Sequence, residues 1–95
     1  MKCYLGGRVS GIRDLNRPAF AKAADQLRIC GYSVFNPTAA NMDDGRPLCE
    51  IMAYLLQELC KSDVLALLPG WWRSGGARVE WLLAKYLKLK IIYLN

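Results

Sequence analysis

The sequence predicts an α/β protein: three layers around one parallel four-stranded sheet, in the order βαβαβαβ. Short β-prone runs alternate with segments whose apolar residues recur at helical spacing, the pattern of strand–crossover–strand units. The run Asp63-Val-Leu-Ala-Leu-Leu68 is continuously aliphatic, as expected of a strand covered on both faces. Gly6-Gly7, Asn36-Pro37 and Pro69-Gly70 close the first three strand candidates at their carboxyl ends.

The first strand is Lys2 to Gly6, an apolar run ended by two glycines. Asn16 can cap the helix that follows, Pro18 fits its first turn, and Phe20, Ala23, Ala24, Leu27 and Cys30 repeat at helical spacing up to Gly31. Tyr32 to Phe35 is β-prone, and Pro37 disfavours helix in the residue before it. Thr38 to Arg46 has loop composition, with Asn41, Asp43, Asp44 and Gly45. Leu48, Met52, Leu55, Leu56 and Leu59 then mark a second helix, and Asp63 to Leu68 is the central strand. Val79, Leu82, Leu83 and Tyr86 mark the core face of a third helix, and Lys90 to Leu94 is the last strand. Right-handed crossovers then place helices on both faces, a flavodoxin- or Rossmann-like arrangement.

Ninety-five residues, 54% hydrophobic and 22% charged, fit one globular domain over 1–95 with a modest core, which subunit contacts can supplement. No apolar run approaches a membrane span, and MKCYLGGRVSG lacks the apolar stretch of a secretory signal, so a cytoplasmic protein is expected. Cys3, Cys30, Cys49 and Cys60 have no C-x-x-C spacing and there is no histidine, which argues against a metal site; they read as small buried apolar residues. No cofactor is expected.

In a parallel sheet, ligands bind at the carboxyl ends of the strands. Here those ends are Gly6 to Asp14, Asn36 to Arg46 and Pro69 to Gly76. They gather Gly6, Gly7, Arg8, Val9, Ser10, Arg13, Asn36, Arg73, Ser74, Gly75 and Gly76 on one edge, a set suited to an anion. Ser74, Gly75 and Gly76 open the third helix, where free N–H groups and the helix dipole favour a phosphate; equally, Ser74 or Gly76 simply caps the helix. Glu80, four residues after Gly76, can reach that edge or lie on the surface. Near a helix start and arginines its carboxylate is expected to stay ionised, which suits a nucleophile. Tyr4 can reach the edge with its hydroxyl or belong to the core, whereas Asp63, at the opposite end of the sheet, reads as structural. Trp71 and Trp72 adjoin the edge as a stacking wall, or with Trp81 plug a subunit interface.

The segments YLGGRVSG, NRPAF, GYSVFNP and CKSDVLALLPGWWRSGGARVEWLLAK together resemble a small, often phage-borne group related to the nucleoside 2-deoxyribosyltransferases and deoxynucleoside monophosphate N-glycosidases. The resemblance covers Tyr4 to Leu94. It implies a nucleoside 2-deoxyribosyltransferase-like domain in which Glu80 of an S-x-G-x-x-x-E motif attacks the anomeric carbon, Tyr4 orients it, and Ser74, Gly76 and the loop Gly7 to Ser10 hold sugar or phosphate. Those enzymes also use an aspartate where this chain has Leu55. A general acid of that kind contributes ~100 to 10,000-fold, so Asp43, Asp44 or Glu50 would have to substitute.

Two readings follow. One is an enzyme acting at the N-glycosidic bond of a nucleotide or nucleoside through Glu80; the other is a catalytically silent binder of a nucleotide or nucleotide-derived ligand. A nucleic-acid partner ranks below both, resting only on a net charge of +5 and the tryptophans. The partners expected are a small nucleotide or nucleoside and further copies of the chain, as a dimer or higher homo-oligomer.

Overall fold

The computed structural model describes residues 1–8, 16–39, 45 and 47–94. Candidates Val9, Ser10 and Arg13 lie outside the described residues, as do Asp43 and Asp44. The chain runs β1 (Lys2–Gly6), α1 (Arg17–Ile29), β2 (Ser33–Phe35), a 3-10 turn (Pro37–Ala39), α2 (Leu48–Cys60), β3 (Val64–Leu67), a second 3-10 turn (Trp71–Arg73), α3 (Gly75–Tyr86) and β4 (Lys90–Tyr93). All strand pairs are parallel, in the order β2-β1-β3-β4. The fold is the α/β three-layer sheet that the alternating pattern predicts.

Strand alternation sorts the core into two layers. Cys3 and Leu5 of β1, with Val64 and Ala66 of β3, face α1 and pack on Phe20, Ala23, Ala24 and Leu27. Tyr4, Leu65 and Leu67 face the other way, against Leu55 and Leu59 of α2 and Ala84 of α3. One crossover runs leftward from β1 to β2 and two run rightward, so a constant right hand puts α1 on one face and α2 with α3 on the other. At the amino end of the sheet the Lys2 N–H donates to Asp63 Oδ2 at 3.0 Å, and the Asp63 N–H to the Lys2 carbonyl at 2.8 Å. Asp63 is structural, as its position predicts.

Three local expectations are corrected. Asn16 stands at the start of α1 in the left-handed region, φ 60°, and makes no side-chain cap. Its amide donates instead to the Arg8 carbonyl at 3.0 Å, tying the exit of β1 to the helix. Of the four cysteines only Cys3 is buried; Cys30, Cys49 and Cys60 sit at or next to helix ends, beyond the packed turns, and are exposed. Most consequential is α3. Val79, Leu82 and Tyr86 are exposed, whereas Ala77, Glu80 and Ala84 are buried. The small side chains of Ala77 and Ala84 let the helix lie close to the sheet, and the Trp81 ring stacks on Trp71, centroids 5.5 Å apart. Close approach and a specific polar contact turned the helix, against the pull of its larger apolar residues.

Candidate functional site

β1 ends at Gly6, beside the Glu80 side chain of α3. Tyr4 points into the α2/α3 layer, and its fully buried hydroxyl donates to Glu80 Oε2. Glu80 projects inward from the second turn of α3 and is 6% exposed. Its other oxygen, Oε1, would lie 3.3 Å from a Cβ placed on Gly6, which would also meet Leu67 at 3.1 Å and Leu65 at 3.3 Å. Glycine at position 6 therefore leaves the carboxylate its niche. At Gly7 an added Cβ would come within 2.9 Å of Leu68 Cβ, so that glycine answers to packing beneath the loop.

Burial decides the electrostatics of the pair. Removing a carboxylate from water raises its pKa, while a hydrogen bond from a donor lowers it. For Glu80 desolvation outweighs the Tyr4 hydrogen bond, and the group is pushed up to about 7. The expectation of a fully ionised carboxylate is thus corrected: near neutral pH Glu80 exchanges between acid and carboxylate. The Tyr4 phenol is driven far above its ordinary range, first by burial and then by the neighbouring Glu80, so it remains a donor.

The start of α3 lies one turn away. Ser74 Oγ accepts from the Ala77 N–H at 3.2 Å, so the serine is a helix cap. The N–H groups of Gly75 and Gly76 meet no acceptor among the described residues. A Cβ on Gly75 would meet nothing within 4 Å, and one on Gly76 only Met52 at 3.8 Å and Ser74 Oγ at 3.9 Å. Gly75 and Gly76 thus leave two backbone donors without an acceptor among the described residues at a helix start, the kind of position where anions are favoured.

The remaining candidates are placed less directly. Asn36 uses its Oδ1 to accept from the Thr38 N–H at 3.0 Å and the Thr38 hydroxyl at 2.7 Å, which starts the turn after β2. That oxygen is committed to the turn. Arg8 follows β1 and Arg73 is exposed in the second 3-10 turn. Arg17 reaches the Thr38 carbonyl through Nε at 3.5 Å. Leu55 is 7% exposed and packs in the same apolar cluster as Tyr4. Glu50 stands exposed in the first turn of α2. The tryptophans brace α3 against β4: Trp71 lies 6.1 Å from the Tyr93 ring, and Trp81 Nε1 donates to the Tyr93 hydroxyl at 3.0 Å. Trp72 meets Trp71 edge-on and stays 56% exposed.

Two aromatic residues enter the site unannounced. The Phe35 ring stacks on Tyr4 at 5.3 Å and 21°, and Tyr54 of α2 meets Phe35 edge-on at 6.1 Å. Their signal was faint: Phe35 directly precedes Asn36 at a strand end, and Tyr54 adjoins Leu55 on the helix. Phe35 thus extends the apolar cluster around the Tyr4 ring, and Tyr54 packs on Phe35 in turn.

The sequence profile of a domain of unknown function, DUF4406, matches residues 1–93, and the chain belongs to that family. No curated protein matches it.

Proposed function

We propose that the protein acts at the N-glycosidic bond of a nucleotide or nucleoside in the cytoplasm, with Glu80 as nucleophile and Tyr4 as the residue that orients it. The observation that carries this reading is the buried Tyr4–Glu80 pair at the carboxyl edge of the sheet, one helical turn from two N–H groups that meet no acceptor among the described residues. The likeness to the nucleoside 2-deoxyribosyltransferases supports it, with Ser74, Gly76 and Glu80 at the spacing of their motif.

In the reaction, one ionised Glu80 oxygen bonds to the anomeric carbon as the carbon–nitrogen bond breaks, and the base leaves with the electron pair and takes up a proton from water. Attack by water or a second base then releases the sugar. Tyr4 keeps Oε2 hydrogen-bonded, which leaves Oε1, on the Gly6 side, as the attacking oxygen. The N–H groups of Gly75 and Gly76 hold the phosphate, with Arg8 and Arg73 near the same edge.

A second reading rests on Leu55. With hydrocarbon where such enzymes place a proton donor, the same residues serve a protein that binds a nucleotide-derived ligand without turning it over. The two separate in one experiment. Purified protein and Glu80→Ala are incubated with ribo- and deoxyribonucleoside monophosphates and nucleosides, free base is followed by chromatography, and thermal shift is read in parallel. Base release lost in Glu80→Ala is the expected result. A thermal shift without release assigns the binder, and neither response overturns both readings.

A further inference from the structure

Glu80 is a buried carboxylate without a counter-charge. Among the described residues its one partner is the Tyr4 hydroxyl, and no cation pairs with it: Lys2 and Lys61 are held by Glu58, and Arg28 by Asp25. Its surroundings are hydrocarbon. Leu65 and Leu67 of β3 close on Gly6 next to Glu80 Oε1, and Leu55 packs in the same cluster as Tyr4. Among the described residues no second carboxyl is buried with it. Glu58 and Asp63 are engaged by Lys2 toward the amino end of the sheet, Asp25 lies outside on α1, and Glu50 is exposed in the first turn of α2. The chain has no histidine, and the Tyr4 phenol already donates to Glu80. Resting on the N-glycosidic reading above, we propose that the base removed here is a cationic ring, a pyridinium or N-alkylated purine, which leaves as a neutral molecule without taking up a proton.

Charge balance favours such a substrate. An electron pair of ionised Glu80 Oε1 forms the bond to the anomeric carbon, the carbon–nitrogen bond breaks, and its pair stays on the ring nitrogen, cancelling the positive charge. One anion and one cation become a neutral ester and a neutral base. Water then attacks the anomeric carbon, the ester pair returns to Glu80, and a proton is released to solvent. Away from bulk water the first step is favoured, because hydrocarbon raises the energy of both isolated charges. A base that starts neutral departs instead as an anion into the same surroundings. The nucleotide phosphate keeps the whole ligand anionic, which suits a chain of net charge +5. The aromatic residues point the same way. From Glu80 the rings of Tyr4, Phe35 and Tyr54 follow one another, fully buried at the first and 37% exposed at the last. Ring faces attract cations within about 6 Å.

Guanosine monophosphate and its 7-methyl derivative differ by one methyl group and one positive charge, which makes the test specific. Purified protein is incubated with both, as ribo- and deoxyribonucleotides, and with nicotinamide mononucleotide. Free base is followed by chromatography, each substrate measured over its own spontaneous release. Release from the cationic nucleotides should exceed that from guanosine monophosphate by ~100-fold or more, the usual worth of a proton donor to a neutral base. Glu80→Ala should abolish it. With the pyridinium nucleotide, kcat/KM should rise as Glu80 ionises, through about pH 7, and stay level above it. Equal release from guanosine monophosphate and its methylated form overturns the proposal and leaves the N-glycosidic reading standing. So does a bell-shaped pH profile, which would reveal a proton donor. No release from any nucleotide overturns the proposal together with the enzyme reading beneath it.

Discussion

The two faces of the sheet are built from alternate residues of the same strands, yet they carry different chemistry. The α1 face is closed by hydrocarbon and one thiol: Cys3, Leu5, Phe20, Ala24 and Val64 are all fully buried, and burial pushes the Cys3 thiol up to about 11, which keeps it neutral. The α2/α3 face has a comparable apolar layer but encloses Tyr4 and Glu80. A buried carboxylate detracts from stability wherever it must ionise, and one hydrogen bond from a phenol offsets only part of that. One face stabilises the fold; the other spends some of that stability on holding a buried carboxylate next to the start of α3.

The largest effect should come from breaking the first face. Phe20→Ala, in the α1 layer, should cost ~3–5 kcal/mol, read as a fall in the urea midpoint with the pH dependence of stability unchanged. A loss below ~1 kcal/mol would mean that the α1 layer is not the main structural core.

The second effect belongs to Glu80 and has a sign. Its pKa is about 7 in the folded chain against 4.5 as an ordinary glutamate. Between those values the native state keeps a proton that the unfolded state has lost, so stability falls as pH rises through the window and levels off above it. Glu80→Gln imitates the protonated form and leaves Tyr4 an acceptor. It should match the wild type below pH 4.5 and exceed it by about 3 kcal/mol above pH 7. Stability curves that stay parallel from pH 4 to 8 would show that burial does not control this group.

The smallest effect sharpens the contrast between packing and ligand contact. Gly75 has no neighbour for a Cβ to strike, and alanine suits a helix better than glycine by about 1 kcal/mol or less. Gly75→Ala should leave the fold intact or slightly firmer while weakening nucleotide monophosphate binding in a thermal-shift titration. Unchanged affinity would remove the start of α3 from the site.

Much of this architecture was legible in the chain. The aliphatic run from Asp63 to Leu68 has the form expected of a strand covered on both sides, and the glycines and prolines at the strand ends marked where the loop edge lies. Spacing alone left Ser74, Gly76 and Glu80 open between a site and an ordinary helix start; only the resemblance to the deoxyribosyltransferase motif drew them together. Phe35 and Tyr54 went unmarked, because ring stacking joins residues far apart in sequence and no periodicity reports it.

The orientation of α3 marks the boundary. Its existence, its length and its serine cap follow from local pattern, since backbone hydrogen bonding and the N-cap involve only neighbours within four residues. Which side faces the sheet does not follow. Hydrophobic content alone favoured Val79, Leu82 and Tyr86, but the tertiary structure buried Ala77, Glu80 and Ala84. Small side chains allow close approach, the Trp71–Trp81 stack holds the helix from one flank, and the Tyr4 hydroxyl gives a buried carboxylate its partner. The sequence by itself determined the strands, the helices and the edge where they converge. Only the assembled fold decided that Glu80 would be taken from water, because a carboxylate's protonation depends on what surrounds it in space.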